Sequence, residues 1–285
     1  MKILLNVLMN GLTLACIYFM VACGFSLIFG LLRTINLAHG SLYLVGAYVG
    51  HDLGVRTSSW VLGLAGGALA AGLVGALMQV VLLRKTEGDN LRQALLTVGF
   101  SIVVADLLLW HYGAATYQFD LPAAVAEATD IPGVGPYSTI RLLVVAMAVL
   151  VGLALWLILR FTKLGMAVRA AVDDRVMLAA LGFEVRSLYL VIFVLGALVC
   201  GLAGVVGGSV FSVAPGEDAR FLLSSLVVVI IGGMGSLPGA AMGALLVGFS
   251  EQLGLAYFPN YAVTATFGLM VAVLAVRPHG LFGRA

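Results

Sequence analysis

Residues 3–32 read "ILLNVLMNGLTLACIYFMVACGFSLIFGLL", a run without a single charged side chain. As a helix rising 1.5 Å per residue, such a run is longer than the roughly 30 Å hydrocarbon core of a bilayer. It also exceeds the roughly 7–15 apolar residues of a cleavable signal, and a second apolar segment follows almost at once. The chain is therefore expected to begin with a true membrane span. Composition extends this to the whole molecule. Apolar residues make up 62% of the chain and charged ones 10%, against roughly 25% charged in a soluble domain. Too few polar groups exist to cover a water-facing surface, so the chain reads as a polytopic, all-α membrane protein.

Candidate spans are 7–29, 35–53, 59–83, 93–112, 141–160, 188–211, 221–235, 239–256 and 260–277. The pair around "IIGGMGSLPGAAMGALLVG" (230–248) is ambiguous, because Gly232, Gly233, Gly235 and Pro238 interrupt it. One kinked helix or a half-helix would fit there, and the count is eight or nine spans, some of them interrupted. Lys and Arg in short loops mark the cytoplasmic side. Arg84, Lys85 and Arg92 mark one such loop; Arg160, Lys163, Arg169, Arg175 and Arg186 mark a stronger one at 160–186. Arg33, Arg277 and Arg284 fall on the same side, whereas residues 113–138 hold no Lys or Arg but do hold Asp120, Glu127 and Asp130, with Pro122, Pro132, Gly133, Gly135 and Pro136. That segment is expected to be an external loop. Nine spans put the N-terminus outside, with Lys2 on the disfavoured side.

Glycine recurs at four-residue spacing in Gly63/Gly67, Gly204/Gly208 and Gly235/Gly239/Gly243. Lipid offers helices no hydrophobic reason to associate, so small residues that allow close backbone approach must supply much of the attraction. A weaker feature is an echo between "HGSLYLVGAYVG" (39–50) and "MGSLPGAAMGALLVG" (234–248), the kind of internal symmetry that inverted repeats leave in transporters. Cys16, Cys23 and Cys200 lie inside apolar runs and are expected to pack rather than to bridge or bind metal.

Polar residues at membrane depth are the functional suspects. In "TINLAHGSLYLVGAY" (34–48), Asn36 and His39 are three apart and would share a helix face. Gly40 follows, where a helix is easily broken. A broken helix beside Asn36 and His39 would suit a gate or a cargo path; the plainer reading has Asn36 capping the helix and His39 bonding to a neighbouring helix. Asp106, in "SIVVADLLLWHYG", costs roughly 2.5–3.5 kcal/mol on insertion scales. It would face a path, pair with His39 or His111, or serve as a structural bond. Glu251 ends a charge-free run and reads as an ordinary carboxylate near the outer surface.

The loop "RFTKLGMAVRAAVDDRVMLAALGFEVR" (160–186) carries an amphipathic helix over 163–181, with Met166, Val168, Val172, Val176, Met177 and Leu181 as its apolar face and Gly182 as C-cap. Asp173 and Asp174 would be repelled by anionic lipid, so a cytoplasmic protein partner is expected for this helix. No G-x-x-x-x-G-K-[ST] loop, metal-ligand cluster or G-x-S-x-G elbow occurs in the sequence. Nothing points to catalysis by this chain, to a cofactor or to a nucleic-acid partner.

Four ordered blocks make the chain similar to a known family. "NGLTLACIYFMVACGFSLIFGLLRTINLAHGSLYLVGAY" (10–48) resembles the opening signature of branched-chain amino acid ABC permeases of the LivH type, with Asn36, Ala38, His39 and Gly40 matching and Leu37 replacing the usual aromatic residue. Residues 165–208, 227–252 and 276–284 resemble the family's coupling segment and C-terminal signatures. The resemblance implies a single transmembrane permease domain over 1–285 in the bacterial cytoplasmic membrane. It would work with a second related permease, two cytoplasmic ABC ATPases and an extracytoplasmic substrate-binding protein.

On that resemblance, residues 164–182 form the coupling helix, including Leu164, Arg169, Val172, Asp174, Val176, Leu181 and Gly182. Residues 36–43 line or gate the path, with Asn36 and His39 giving polar contacts, Gly40 a bend, and Tyr18 or Tyr43 a constriction. Asp106 is kept as a path candidate. The cargo would be leucine, isoleucine or valine, or a related amino acid, amide or urea. An ion-driven secondary transporter using Asp106 with His39, and a passive channel for a small polar solute, are the competing readings.

Overall fold

The computed structural model describes residues 2–32, 36–86, 88–131 and 135–283. Arg33, Pro132, Gly133 and Arg284 lie outside the described residues. The first charge-free run forms one helix, α1 (Lys2–Leu32), about 46 Å long at 1.5 Å per residue. It is the axis of the bundle: Leu14, Ile17, Tyr18, Met20, Val21, Ala22 and Cys23 are all fully buried. Around it pack α6 (Thr139–Phe161), α9 (Val185–Phe211), α10 (Glu217–Gly232) and α11 (Leu237–Tyr257).

A second layer is made by α2 (His39–Thr57) and α3 (Trp60–Val81), which pack on each other and on α9. Their contact is through glycine. A methyl group on Gly46 would land on the Gly201 backbone, and one on Gly67 on the Gly46 carbonyl oxygen. Backbones at this separation gain dispersion contacts that bulkier residues would prevent. The sequence motif Gly204/Gly208 sits on the same α9 face, with Gly204 against the Tyr43 carbonyl.

The rim consists of α4 (Asn90–Tyr112), α6 and α12 (Ala262–Val276). They expose leucine, isoleucine, valine and tryptophan outward, among them Leu95, Ile102, Trp110, Leu150, Leu153 and Val271, as lipid-facing helices must. Among the described residues, seven helices are long and apolar enough to cross a membrane. With the less apolar α2 and the short α10, nine bundle helices lie among the described residues, within the eight or nine expected.

The segment 230–248 is two helices rather than one kinked helix. Gly233 and Gly235 take positive φ values of 101° and 79°, Ser236 caps α11 by accepting the Gly239 N–H, and Pro238 lies in its first turn. The Gly-Ser-Leu echo is not a structural repeat. Gly40-Ser41-Leu42 lies inside α2, whereas Gly235-Ser236-Leu237 is the turn that leads into α11.

Two further expectations are corrected. The 113–138 segment is folded rather than a plain loop. It holds a short α5 (Ala123–Ala126) and a hairpin, β1 (Ala128–Ile131) with antiparallel β2 (Gly135–Ser138), Thr129 opposite Tyr137. Tyr137 reaches α1 through a 2.9 Å hydroxyl bond with Thr13, and Tyr117 pairs with Val213 as an isolated bridge. The amphipathic helix expected over 163–181 is broken into α7 (Lys163–Asp173) and α8 (Arg175–Ala180). Its break is local chemistry: Asp174 is extended and its carboxylate accepts the Val176 and Met177 N–H groups, starting a new helix.

Candidate functional site

Near the bundle centre, the stretch that opens α2 is buried and close to α1 and α10. Asn36 precedes the helix instead of sharing a face with His39. Its side-chain oxygen accepts the Ala38 N–H at 3.0 Å in a local turn, and its carbonyl accepts the His39 N–H. The N-cap position is Ala38, so Asn36 is not the cap. His39 is fully buried, with Nε2 3.0 Å from the Val21 carbonyl oxygen of α1 and its ring edge-on to Phe25. Cys200 of α9 donates its thiol to the His39 carbonyl at 3.1 Å. His39 therefore ties three helices together.

Gly40 does not break α2, which is continuous from His39 to Thr57. Its smallness serves another purpose. A methyl group there would land on the carbonyl oxygen of Asp218, in the first turn of α10. Gly40 lets the head of α10 approach α2 inside the bundle.

That approach assembles a cluster that sequence reasoning missed. Tyr43 of α2 stacks on Phe221 of α10 with ring centroids 4.1 Å apart, and Tyr18 of α1 meets the same ring edge-on at 5.9 Å. All three are at most 3% exposed. Beside this aromatic block, the Tyr18 hydroxyl donates to Glu251 at 2.7 Å. Arg220 reaches Glu251 at 3.3 Å and Glu217 at 3.4 Å. Its guanidinium also lies over the Phe211 and Phe221 rings at 5.9 and 5.7 Å.

Depth makes the cluster notable. Arg141 at the head of α6 bonds to Asn10, which fixes the level of α1 there. Tyr18 is eight residues further along α1, about 12 Å deeper. Glu251 lies six residues before the end of α11, about 9 Å below it. Tyr18 is fully buried and the Glu251 side chain is 14% exposed, so this carboxylate is held by protein partners. Glu251 is thus no ordinary surface carboxylate, and Tyr18 and Tyr43, expected as alternatives for a constriction, both pack on Phe221. The signal was present: Glu217 and Arg220 are one turn apart in "GEDAR" (216–220), but a span drawn from 221 leaves them outside the membrane.

Asp106 stands apart from all of this. It is exposed on the outer face of α4 among Ile102, Val103 and Leu107, and among the described residues it makes no hydrogen bond or ion pair. It does not meet His39, which is fully buried against α1, nor His111, whose ring packs on Tyr112.

At the arginine-rich end, the broken helix divides its apolar residues between two surfaces. Leu164, Val168 and Val172 are half-buried and pack with Leu27, Leu31 and Ile192 of the bundle. Val176, Met177, Leu181 and Phe183 are 52–73% exposed. Arg169 donates to the carbonyl of Leu159 at the end of α6, fixing the α6–α7 corner. Gly182 has φ +87°, and its N–H closes α8 on Ala179 at 3.0 Å.

Between α1, α7 and the α10–α11 turn lies a cavity of about 840 Å³, lined by Ser26, Gly30, Arg169, Asp173, Met234 and His279 among others. The Ser26 hydroxyl is buried there without a hydrogen-bond partner among the described residues. Along α1 and α10 a charged and aromatic cluster thus lies toward one end and a cavity against α7 toward the other. Among the described residues no group of His, Cys, Asp and Glu has the arrangement to hold a metal.

Long apolar helices packed around a buried axis, with lipid-type residues on the rim, are the architecture of a multi-pass membrane protein. Within that class the sequence comparisons are specific. The family model for the permease component of branched-chain amino acid transport systems matches residues 7–274, and the chain belongs to this family. It is 29% identical to the high-affinity branched-chain amino acid transport permease LivH of Escherichia coli K12, over 98% of this chain and 96% of the relative. It is 30% identical to BraD of Pseudomonas aeruginosa with the same coverage. LivM of E. coli K12 is 28% identical over 94% of this chain and 68% of that protein. In fold, the chain resembles a solved structure of PsaBC from Streptococcus pneumoniae in complex with Fab, with TM-score 0.51, 13% identity, and coverage of 95% of this chain and 91% of that one.

Proposed function

We propose that this chain is one membrane-spanning permease subunit of a bacterial ABC importer for branched-chain amino acids, resident in the cytoplasmic membrane. The observation that carries the reading is the match to LivH and BraD along 98% of the chain, helices and loops alike. In this reading residues 1–285 are one permease domain, the arginine-rich end is cytoplasmic, and the 113–138 hairpin faces outward. A second, LivM-like permease, two cytoplasmic ATPases and an extracytoplasmic binding protein complete the importer.

The loop surface supports the ATPase partners. Val176, Met177, Leu181 and Phe183 form an exposed apolar ridge on α8 and the turn after it, flanked by Arg175, Glu184 and Arg186. A ridge of that chemistry, rimmed by charges, suits a groove on a protein rather than water. Meanwhile α7 lies against the bundle and the cavity, so a push on α8 is transmitted to the path wall. The ATP-binding loop missing from this sequence belongs on the ATPase subunits. Asp106 supports no proton-coupled alternative, since its expected partner His39 is buried elsewhere.

The test is composition followed by transport. The chain is tagged in its native host and extracted in mild detergent. The expected result is co-purification of two ATPases and a second permease, with ATP-dependent uptake of L-leucine by the reconstituted complex. A lone oligomer that moves solute without any ATPase would overturn the reading.

A further inference from the structure

The Glu217–Arg220–Glu251–Tyr18 cluster joins α1, α10 and α11, and its geometry differs from that of a structural ion pair. Arg220 is held by two carboxylates, but at 3.3 and 3.4 Å, and its side chain is 40% exposed. Glu217 and Glu251 remain 29% and 14% exposed. A lock built to hold helices together would be shorter, bidentate and closed to solvent. Here two carboxylates flank one guanidinium, leaving a net negative charge beside a positive one. Leu223, one turn from Arg220 on α10, is 53% exposed, and the Phe211 ring lies under the guanidinium. Positive, negative and apolar groups therefore lie side by side, next to a closed block of Tyr18, Tyr43 and Phe221.

We propose that this cluster is a cargo-contact site for the head group of a zwitterionic α-amino acid. It rests on the importer reading above. Arg220 receives the α-carboxylate, which displaces one of its two slack carboxylate partners. The freed carboxylate of Glu251 or Glu217 receives the α-ammonium group, so every charge stays paired while cargo is present. Leu223 and Phe211 flank the aliphatic side chain. The Tyr18–Glu251 bond links the site to the aromatic block. When Glu251 turns to the ammonium, Tyr18 loses its acceptor, and that block is released to open toward the cavity against α7. Occupancy and opening are thereby joined in one hydrogen bond.

The experiment uses the complete complex, reconstituted in proteoliposomes with its ATPases and binding protein. It compares wild type with Arg220→Gln, Arg220→Lys, Glu251→Gln and Glu217→Gln. Two readouts are taken: uptake of radiolabelled L-leucine and of a mixture of labelled amino acids, and yield of assembled complex. The expected result is at least a tenfold loss of uptake for Arg220→Gln and Glu251→Gln, with partial uptake kept by Arg220→Lys. Yield of assembled complex should stay within twofold of wild type, which separates lost cargo contact from lost folding. Uptake by Arg220→Gln and Glu251→Gln within twofold of wild type would overturn the site while leaving the importer reading intact. Loss of uptake together with assembly would make the cluster a structural lock and overturn the proposal as well. A wild-type complex that takes up no amino acid would overturn the importer reading itself, and the cargo site with it.

Discussion

Replacing Asp174 with alanine tests the break between α7 and α8 directly. Helix α8 has six residues, far below the roughly 12–15 at which an isolated helix becomes even marginal in water. Its order must come from its ends and one anchor. At the N-terminus the Asp174 carboxylate accepts two backbone N–H groups, from Val176 at 2.9 Å and Met177 at 3.0 Å. At the C-terminus Gly182 closes the last turn, and Leu178, 3% exposed, is the anchor. Losing an N-cap costs about 1 kcal/mol, and losing a negative charge at the positive helix end adds about 0.3–1 kcal/mol. A total of about 1–2 kcal/mol lowers the folded-to-frayed ratio of α8 by roughly 5–30-fold. Amide hydrogen exchange in detergent, followed by mass spectrometry, reads this at residues 176–181. Helix α7 should be unaffected, because Thr162 caps it separately. Asp174→Asn should keep most of the protection, since asparagine caps equally well. Exchange in the alanine variant within twofold of wild type would refute the cap as the source of α8.

Other outcomes follow from the same geometry. Gly40→Ala should lower the thermal stability of the purified protein by about 1–3 kcal/mol, because the added methyl meets the Asp218 backbone rather than a side chain able to move; an unchanged melting temperature would contradict the tight α2–α10 contact. Asp106→Asn should leave ATP-driven leucine uptake within twofold of wild type, and a tenfold loss would return this carboxylate to the path. Val176→Asp, on the exposed ridge, should cut co-purification of the ATPases with stability changed by no more than about 0.5 kcal/mol, whereas Val172→Asp, packed on the bundle, should destabilise the protein itself. Equal behaviour of the two variants would mean that α7 and α8 do not divide the loop's apolar residues as described.

The membrane class, the approximate span boundaries and the two ends of the bundle were legible in the sequence, because each depends on a local property. A charge-free run of sufficient length must be a span, and clustered arginines mark one end whatever the packing. The Gly182 helix end was readable for the same reason, since a left-handed C-cap is a single-residue preference.

What only the tertiary structure decided are the relations between distant residues. Tyr18 meets Glu251 across 233 residues of sequence, and no window of sequence contains both. Arg220 lies just before the span drawn from 221, yet Gly40 lets the head of α10 pack closely on α2, which sets the Arg220 side chain beside Glu251. Asp106 looked like a path residue because it lies mid-span, and only helix packing shows which way its face turns. Apolar pattern and charge act along a few turns of chain, whereas the depth and the partners of a polar group depend on how closely whole helices can approach.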